Sequence, residues 1–155
     1  WPPEYWGRLA AILSGAGAPV ALVIGPGEEE IAARAVSAAN LPVPVLGADL
    51  DPIELAGLLA RARALVSNDS GPMHLAGAVG TPVVAMFGPT AEQEIDLFGH
   101  GSKIKSSISC APCYRRTCDK NPTCQDLITE SEVLAAALEQ LNHAEKGETE
   151  AKISS

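Results

Sequence analysis

Aromatic residues are scarce in this chain: two Trp, two Tyr and two Phe make up 4% of 155 residues. A core without them must be aliphatic and assembled from small, closely packed elements. Basic charge is also short, with 11 Lys and Arg against 19 Asp and Glu, for a net charge of −8. A sequence-independent nucleic-acid binder needs surplus cations to displace counterions, and electrostatic docking on anionic lipid needs the same, so the balance argues against both. Arg115-Arg116 is the one candidate for a local basic patch in the Cys-rich segment. No apolar run approaches the ~18–20 residues that span a bilayer, and the N-terminus has neither the basic region nor the apolar stretch of a signal peptide. The chain opens at Trp1 without Met and reads as a piece of a longer protein. There is no internal repeat.

What remains is an ordinary globular composition. The hydrophobic share is 46%, and the length suits one domain around a single core. Pro2 and Pro3 suit the first turn of a helix, where a missing N–H costs nothing; Trp6, Leu9, Ala10 and Leu13 follow at helical spacing until Gly15 and Gly17. Residues 20–24 (VALVI) form a continuous apolar run, expected of a strand buried on both faces. Gly25-Pro26-Gly27 breaks it, and Glu28, Glu29 and Glu30 put negative charge on the next helix N-terminus, with Asn40 at its end. Strands are expected at 43–46, 64–67 and 82–87, and 103–108 is the candidate for a last one. Asp51-Pro52 opens a helix with Leu55, Leu58 and Leu59 inward, and residues 71–79 form another. The TESE sequence from Thr129 to Glu132 is a capping box for a final helix ending near Leu141. Strands alternating with helices imply parallel βαβ crossovers and an α/β, Rossmann-like sheet with helices on both faces. Residues 1–142 then form the domain, with a Cys-rich loop at 108–126, and 143–155 a disordered tail without periodicity.

In such a sheet, ligands bind where strands end and helices begin. Residues 68–74 (NDSGPMH) sit at such a place. Asp69 and Ser70 are N-cap types, Gly71 admits a close ligand, and the exposed N–H groups with the helix dipole attract an anion. His74 falls in the first turn, within reach of the same ligand. A second turn, FGPT at 87–90, leaves the neighbouring strand at the same edge. The competing reading makes Asp69-Ser70 a simple cap and His74 a core histidine.

Cys110, Cys113, Cys118 and Cys124 follow the pattern C-x2-C-x4-C-x5-C. Thiolate zinc sites use such clusters, but the usual structural pattern has two close pairs, and only the first pair here has that form. The spacing fits neither ferredoxin pattern for an iron–sulfur cluster. A structural zinc site and a packed loop of free thiols both stand, and disulfides would require an oxidising compartment.

The string SNDSGPMHLAGAVGTPVVAMFGPT at 67–90 resembles the signature of glycosyltransferase family 9, the bacterial lipopolysaccharide heptosyltransferases. The similarity extends through WPPEYWGRLA, VIGPGEEE and LDPIELAGLLARARALVSND upstream, and CAPCYRRTC and ITESEV downstream. Cys-rich segments of this kind occur in members that resemble heptosyltransferase II. The resemblance implies the C-terminal, donor-binding half of a two-domain GT-B enzyme, with its first strand and a donor-binding lysine falling before residue 1. It implies an inverting transfer from ADP-heptose or a related nucleotide-sugar to a lipid-linked core acceptor. That acceptor and the catalytic base belong to an N-terminal domain, so no catalytic residue is assigned in this chain. Asp69 then matches an aspartate near the donor sugar; Ser70, Gly71 and Pro72 match the turn around the diphosphate; and His74 approaches diphosphate and sugar. Leu50 falls beside the adenine, and Glu28 or Glu29 near the ribose, although a solvated helix N-terminus accounts for the glutamates equally well. No cofactor is implied, no DxD-like metal motif is evident, and the setting is cytoplasmic, at most peripheral to the inner membrane. The alternatives are a non-catalytic nucleotide- or phosphate-binding module and a metal-binding or redox module centred on the cysteines.

Overall fold

A computed structural model describes the backbone of residues 1–153 and the side chains of residues 1–143. The chain divides into two compact units, Trp1–Asp51 and the remainder from Pro52. Both are α/β, and every strand pair is parallel.

The first unit contains α1 (Pro3–Gly15), β1 (Leu22–Val23), α2 (Glu29–Ala39) and β2 (Val45–Leu46). Pro3 occupies the start of α1, and Gly17 at φ +89° turns the chain away from its end. Leu9, Ala10 and Leu13 are buried as their spacing requires, whereas Trp6 is half-buried. The buried face of α2 is all alanine (Ala32, Ala35 and Ala39), so the two helices approach closely. Gly7 makes that approach possible: a Cβ there would stand 2.1 Å from the Ala35 carbonyl oxygen. Asn40 closes α2 in the left-handed conformation at φ 53°, as its position suggested. The expected strand at 20–24 is shorter than its apolar run. Only Leu22 and Val23 pair, in register with Val45 and Leu46, and they are half-buried rather than covered on both faces. The pairing stops where Gly25-Pro26 turns the chain.

The second unit contains α3 (Pro52–Leu59), β3 (Leu65–Asn68), α4 (Gly71–Ala78), β4 (Val83–Phe87), a 3-10 turn (Glu92–Glu94), β5 (Gly101–Lys105) and α5 (Glu130–Ile153). Its sheet has the order β3-β4-β5. All five residues of β4 are buried, as expected for a central parallel strand. Val83, Ala85 and Phe87 pack with Leu59, Met73, Ala76 and Leu97. Alternation leaves Val84 and Met86 for the opposite face, and α5 contributes buried Val133 and Ala137. Burying a side chain such as Phe87 stabilises the fold by about 1.5–3 kcal/mol. Thr81 fixes the entry into β4, its buried hydroxyl donating to the Leu59 carbonyl at 2.7 Å.

The capping box forms as read from TESE: Thr129 N–H donates to Glu132 at 3.0 Å and Glu132 N–H to the Thr129 hydroxyl at 3.3 Å. The helix it opens runs past Leu141 to Ile153, into the stretch expected to be a disordered tail. The sequence HAEKGETEAK lacks an apolar stripe but is rich in strong helix formers, which accounts for the continuation. Ser154 and Ser155 lie outside the described residues. No described helix is long and apolar enough to cross a membrane.

Candidate functional site

Strands β3 and β4 run in register from Leu65 with Val83 to Asn68 with Met86, so the turns that follow them leave the same edge of the sheet. Asp69 extends the pairing by donating its N–H to the Met86 carbonyl at 3.2 Å. Ser70 is extended (φ −157°, ψ 167°) and begins α4. Buried Met73 and Ala76 bolt α4 to the sheet, so the turn is carried by two rigid elements.

The helix start differs from the expected side-chain cap, because Ser70 makes no capping hydrogen bond. Its hydroxyl instead lies 2.9 Å from that of buried Ser67, which donates to the Asn68 carbonyl at 2.8 Å. The N–H groups of Met73 and His74 close on the Ser70 carbonyl at 3.1 and 3.4 Å. Pro72 has no N–H to offer. The donors left at this turn are therefore the N–H groups of Ser70 and Gly71, neither bonded among the described residues. Two such donors and the positive end of α4 favour an anion.

His74 is 53% exposed, which removes the reading of a core histidine. Its Nε2 lies 3.7 Å from Oδ1 of Asp69, whose side chain is 19% exposed. That separation exceeds a hydrogen bond yet is close enough for attraction once the imidazole is protonated. The Asn68 Oδ1 atom is buried without a partner. Asp69, Ser70, Gly71, Pro72 and His74 thus share one turn of the second unit.

Glu28, Glu29 and Leu50 belong to the first unit. There the turns after β1 and β2 leave the same edge of the small sheet. Glu28 accepts from Gly25 N–H at 2.7 Å and Glu29 from Gly27 N–H at 3.4 Å, so both carboxylates close their own turn. Leu50 is 38% exposed in the turn after β2, where its N–H donates to the Gly47 carbonyl at 3.1 Å.

The FGPT turn does not stand bare at the sheet edge, because a later segment packs over it. Gly88 is buried, and Pro89 and Thr90 are half-buried. The Cys-rich loop covers the turn, with Cys113 and Tyr114 N–H both donating to the Pro89 carbonyl at 2.9 and 2.8 Å. A Cβ on Gly88 would stand 2.7 Å from Cys124 Sγ and from Gln125 Nε2. A hydrogen bond to Glu94 raises the Tyr114 phenol pKa and ties the loop to the 3-10 turn. At the far end, Thr123 N–H and hydroxyl both reach Asp126 at 2.7 Å, holding that carboxyl below its usual range.

All four cysteines are free and border one cavity of about 470 Å³. Burial raises the Cys124 thiol pKa, and the neighbouring Cys118 and Cys113 add to the effect. No three His, Cys, Asp or Glu side chains among the described residues are assembled to hold a metal ion, so the zinc reading is not supported. The thiols share a wall without converging on a point.

Residues 1–123 match the family model for glycosyltransferase family 9 (heptosyltransferase). The chain is similar to lipopolysaccharide heptosyltransferase 1 of Pseudomonas aeruginosa, at 36% identity over 132 residues, covering 81% of this chain and 36% of that protein. Its fold matches the structure of Escherichia coli ADP-heptose lps heptosyltransferase II with a TM-score of 0.76 at 26% identity, over 94% of this chain and 43% of that one. E. coli heptosyltransferase WaaC with ADP-2-deoxy-2-fluoro heptose aligns with a TM-score of 0.54 at 27% identity, over 68% and 32%. The chain spans about a third of the length of the curated relatives it matches.

Proposed function

Because the chain belongs to glycosyltransferase family 9, we propose that the turn at 68–74 holds the diphosphate of a nucleotide-sugar donor. The whole protein then transfers heptose from ADP-heptose to the inner core of lipopolysaccharide. The observation that carries this reading is the turn itself: unspent Ser70 and Gly71 N–H groups at the start of α4, with His74 exposed beside Asp69. The likeness to a heptosyltransferase solved with an ADP-heptose analogue agrees with it.

In the transfer, a base from an N-terminal acceptor domain removes the proton of the attacking hydroxyl. The bond from the anomeric carbon to the diphosphate breaks with inversion, and negative charge grows on the departing ADP. Fixed N–H dipoles aimed at that charge lower the barrier without reorganising. Ser70 and Gly71 supply them here, His74 adds a ring N–H or positive charge, and Asp69 orients His74 from the sugar side. Leu50 is the proposed apolar contact for the base, and Glu28 or Glu29 the proposed ribose carboxylate. The reaction takes place at the cytoplasmic side of the inner membrane, with peripheral attachment at most.

Titration of the 155-residue chain with ADP and with ADP-heptose tests the reading by ¹H–¹⁵N spectroscopy. Saturable shifts at the amides of Ser70, Gly71 and His74, weakened in Asp69→Asn and His74→Ala, support it. Unmoved amides at millimolar ligand overturn it.

A further inference from the structure

The Cys-rich loop forms a concave surface in the second unit, built from residues other than those of the turn at 68–74. The cavity of about 470 Å³ has Gly88 and Pro89 as part of its lining, and Arg115, Arg116 and Lys120 among its walls. An adjoining cavity of about 520 Å³ also uses Arg115 and Arg116. Within residues 115–120 there are three cations and one carboxylate, Asp119, a local charge of +2 in a chain whose net charge is −8.

Outside this loop, every described Lys and Arg side chain except that of Arg61 has a partner. Arg34 pairs with Glu4 at 2.7 Å, and Lys105 with Glu92 at 2.9 Å. Lys103 donates to the carbonyls of Glu92 and Ile95, and Arg63 to that of Leu141. Arg115, Arg116 and Lys120 have neither an ion pair nor a hydrogen bond among the described residues. The loop that carries them is nevertheless anchored on both sides, by Cys113 and Tyr114 on the Pro89 carbonyl and by Thr123 on Asp126. A held loop that keeps its like charges together without neutralising them has the electrostatics of an anion site.

The geometry points to a binding site for the phosphate group of a small phosphorylated ligand, of the size of a sugar phosphate, between Arg115, Arg116 and Lys120. Guanidinium groups match the oxygens of phosphate as two-pronged donors, and Lys adds a point charge. A concave pocket of roughly 300–1,000 Å³ is the scale of a small-molecule site. The strongly negative remainder of the chain opposes an extended anionic surface such as a membrane or nucleic acid. The ligand is therefore compact.

The 155-residue chain is titrated with glucose 6-phosphate, inorganic phosphate and unphosphorylated glucose, reading the amides of residues 113–124 and of residues 68–74 separately. The expected result is saturable shifts at Arg115 to Lys120 with both phosphates and none with glucose. Arg115→Gln/Arg116→Gln lowers affinity by roughly tenfold or more, as expected for lost charge-assisted hydrogen bonds, while Thr123 and Asp126 amides stay in place to show the loop is folded. Arg115→Lys/Arg116→Lys keeps the charge but loses the fork, and falls between the two. Shifts confined to residues 68–74, or loop shifts that survive the glutamine variant, overturn the proposal without touching the donor-turn reading. A loop response to phosphatidylglycerol-containing vesicles, with none to phosphatidylcholine vesicles or to the soluble phosphates, overturns it in favour of a membrane surface.

Discussion

The Nε2 atom of His74, in the first turn of α4, and the Oδ1 atom of Asp69, just before that helix, lie 3.7 Å apart, near enough to attract and too far to bond. A ligand oxygen can therefore accept a hydrogen bond from the His74 ring without displacing an existing one. His74→Ala in the complete enzyme is expected to lower kcat by about 10²-fold, the scale of losing one transition-state donor. His74→Gln, which keeps an N–H, is expected to recover part of the loss. Steady-state kinetics on both variants check this, with circular dichroism to confirm the fold.

Ser70 and Thr129 both precede helices, yet only Thr129 makes capping hydrogen bonds. Thr129→Ala should cost about 1 kcal/mol, as for an ordinary N-cap. Ser70→Ala should cost clearly less, because only the contact with Ser67 is lost. Urea denaturation of the two variants beside the parent chain measures the difference. A cost for Ser70→Ala equal to that for Thr129→Ala would show that Ser70 caps α4 in solution.

Hydrogen bonds from Thr129 hold the Glu132 carboxyl below its usual range, and those from Thr123 do the same for Asp126. A depressed folded-state pKa means stability that is fully present above the unfolded pKa values, about 4.3 for Glu and 3.9 for Asp. That stability is lost as pH falls through the lower folded values. The urea midpoint should therefore decline with acid from about pH 4 downward. In Glu132→Gln it should start lower at neutral pH and decline less steeply.

Gly88→Ala forces a methyl group against Cys124 Sγ and Gln125 Nε2. Gln125 can swing aside, but the short Cys124 side chain must move with its backbone. The expected cost is about 1–3 kcal/mol, typical of overpacking. The rate at which a thiol reagent modifies Cys124 should rise, because the displaced loop exposes a sulfur that is now partly buried.

Much of the frame was legible in the residues because it is local. The apolar run at 82–87 gave the fully buried β4, TESE gave the capping box, and the position of NDSGPMH between strand and helix marked the turn. What escaped depends on contacts distant in the chain. Nothing near FGPT announces that Cys113 and Tyr114 return to cover Pro89. Gly7 reads as a weak point in a helix until Ala35 is placed against it. The absent Ser70 cap was hidden for another reason. Residue type states that a hydroxyl can cap, but buried Ser67 competes for it, and only three-dimensional placement decides between them.

The carbonyl of Pro89 takes two hydrogen bonds from near the middle of the long connection between Lys105 and Glu130. One long excursion thereby becomes two short ones, each with its own fixed ends. Chain length can then change within residues 115–121 at little entropic cost, since closing a somewhat longer flexible loop costs only fractions of a kcal/mol. An insertion between β5 and Cys113 would instead pull the latch from the sheet edge. A change in the tip would thus act on the cations of the proposed anion site while the strand ends beneath it keep their geometry.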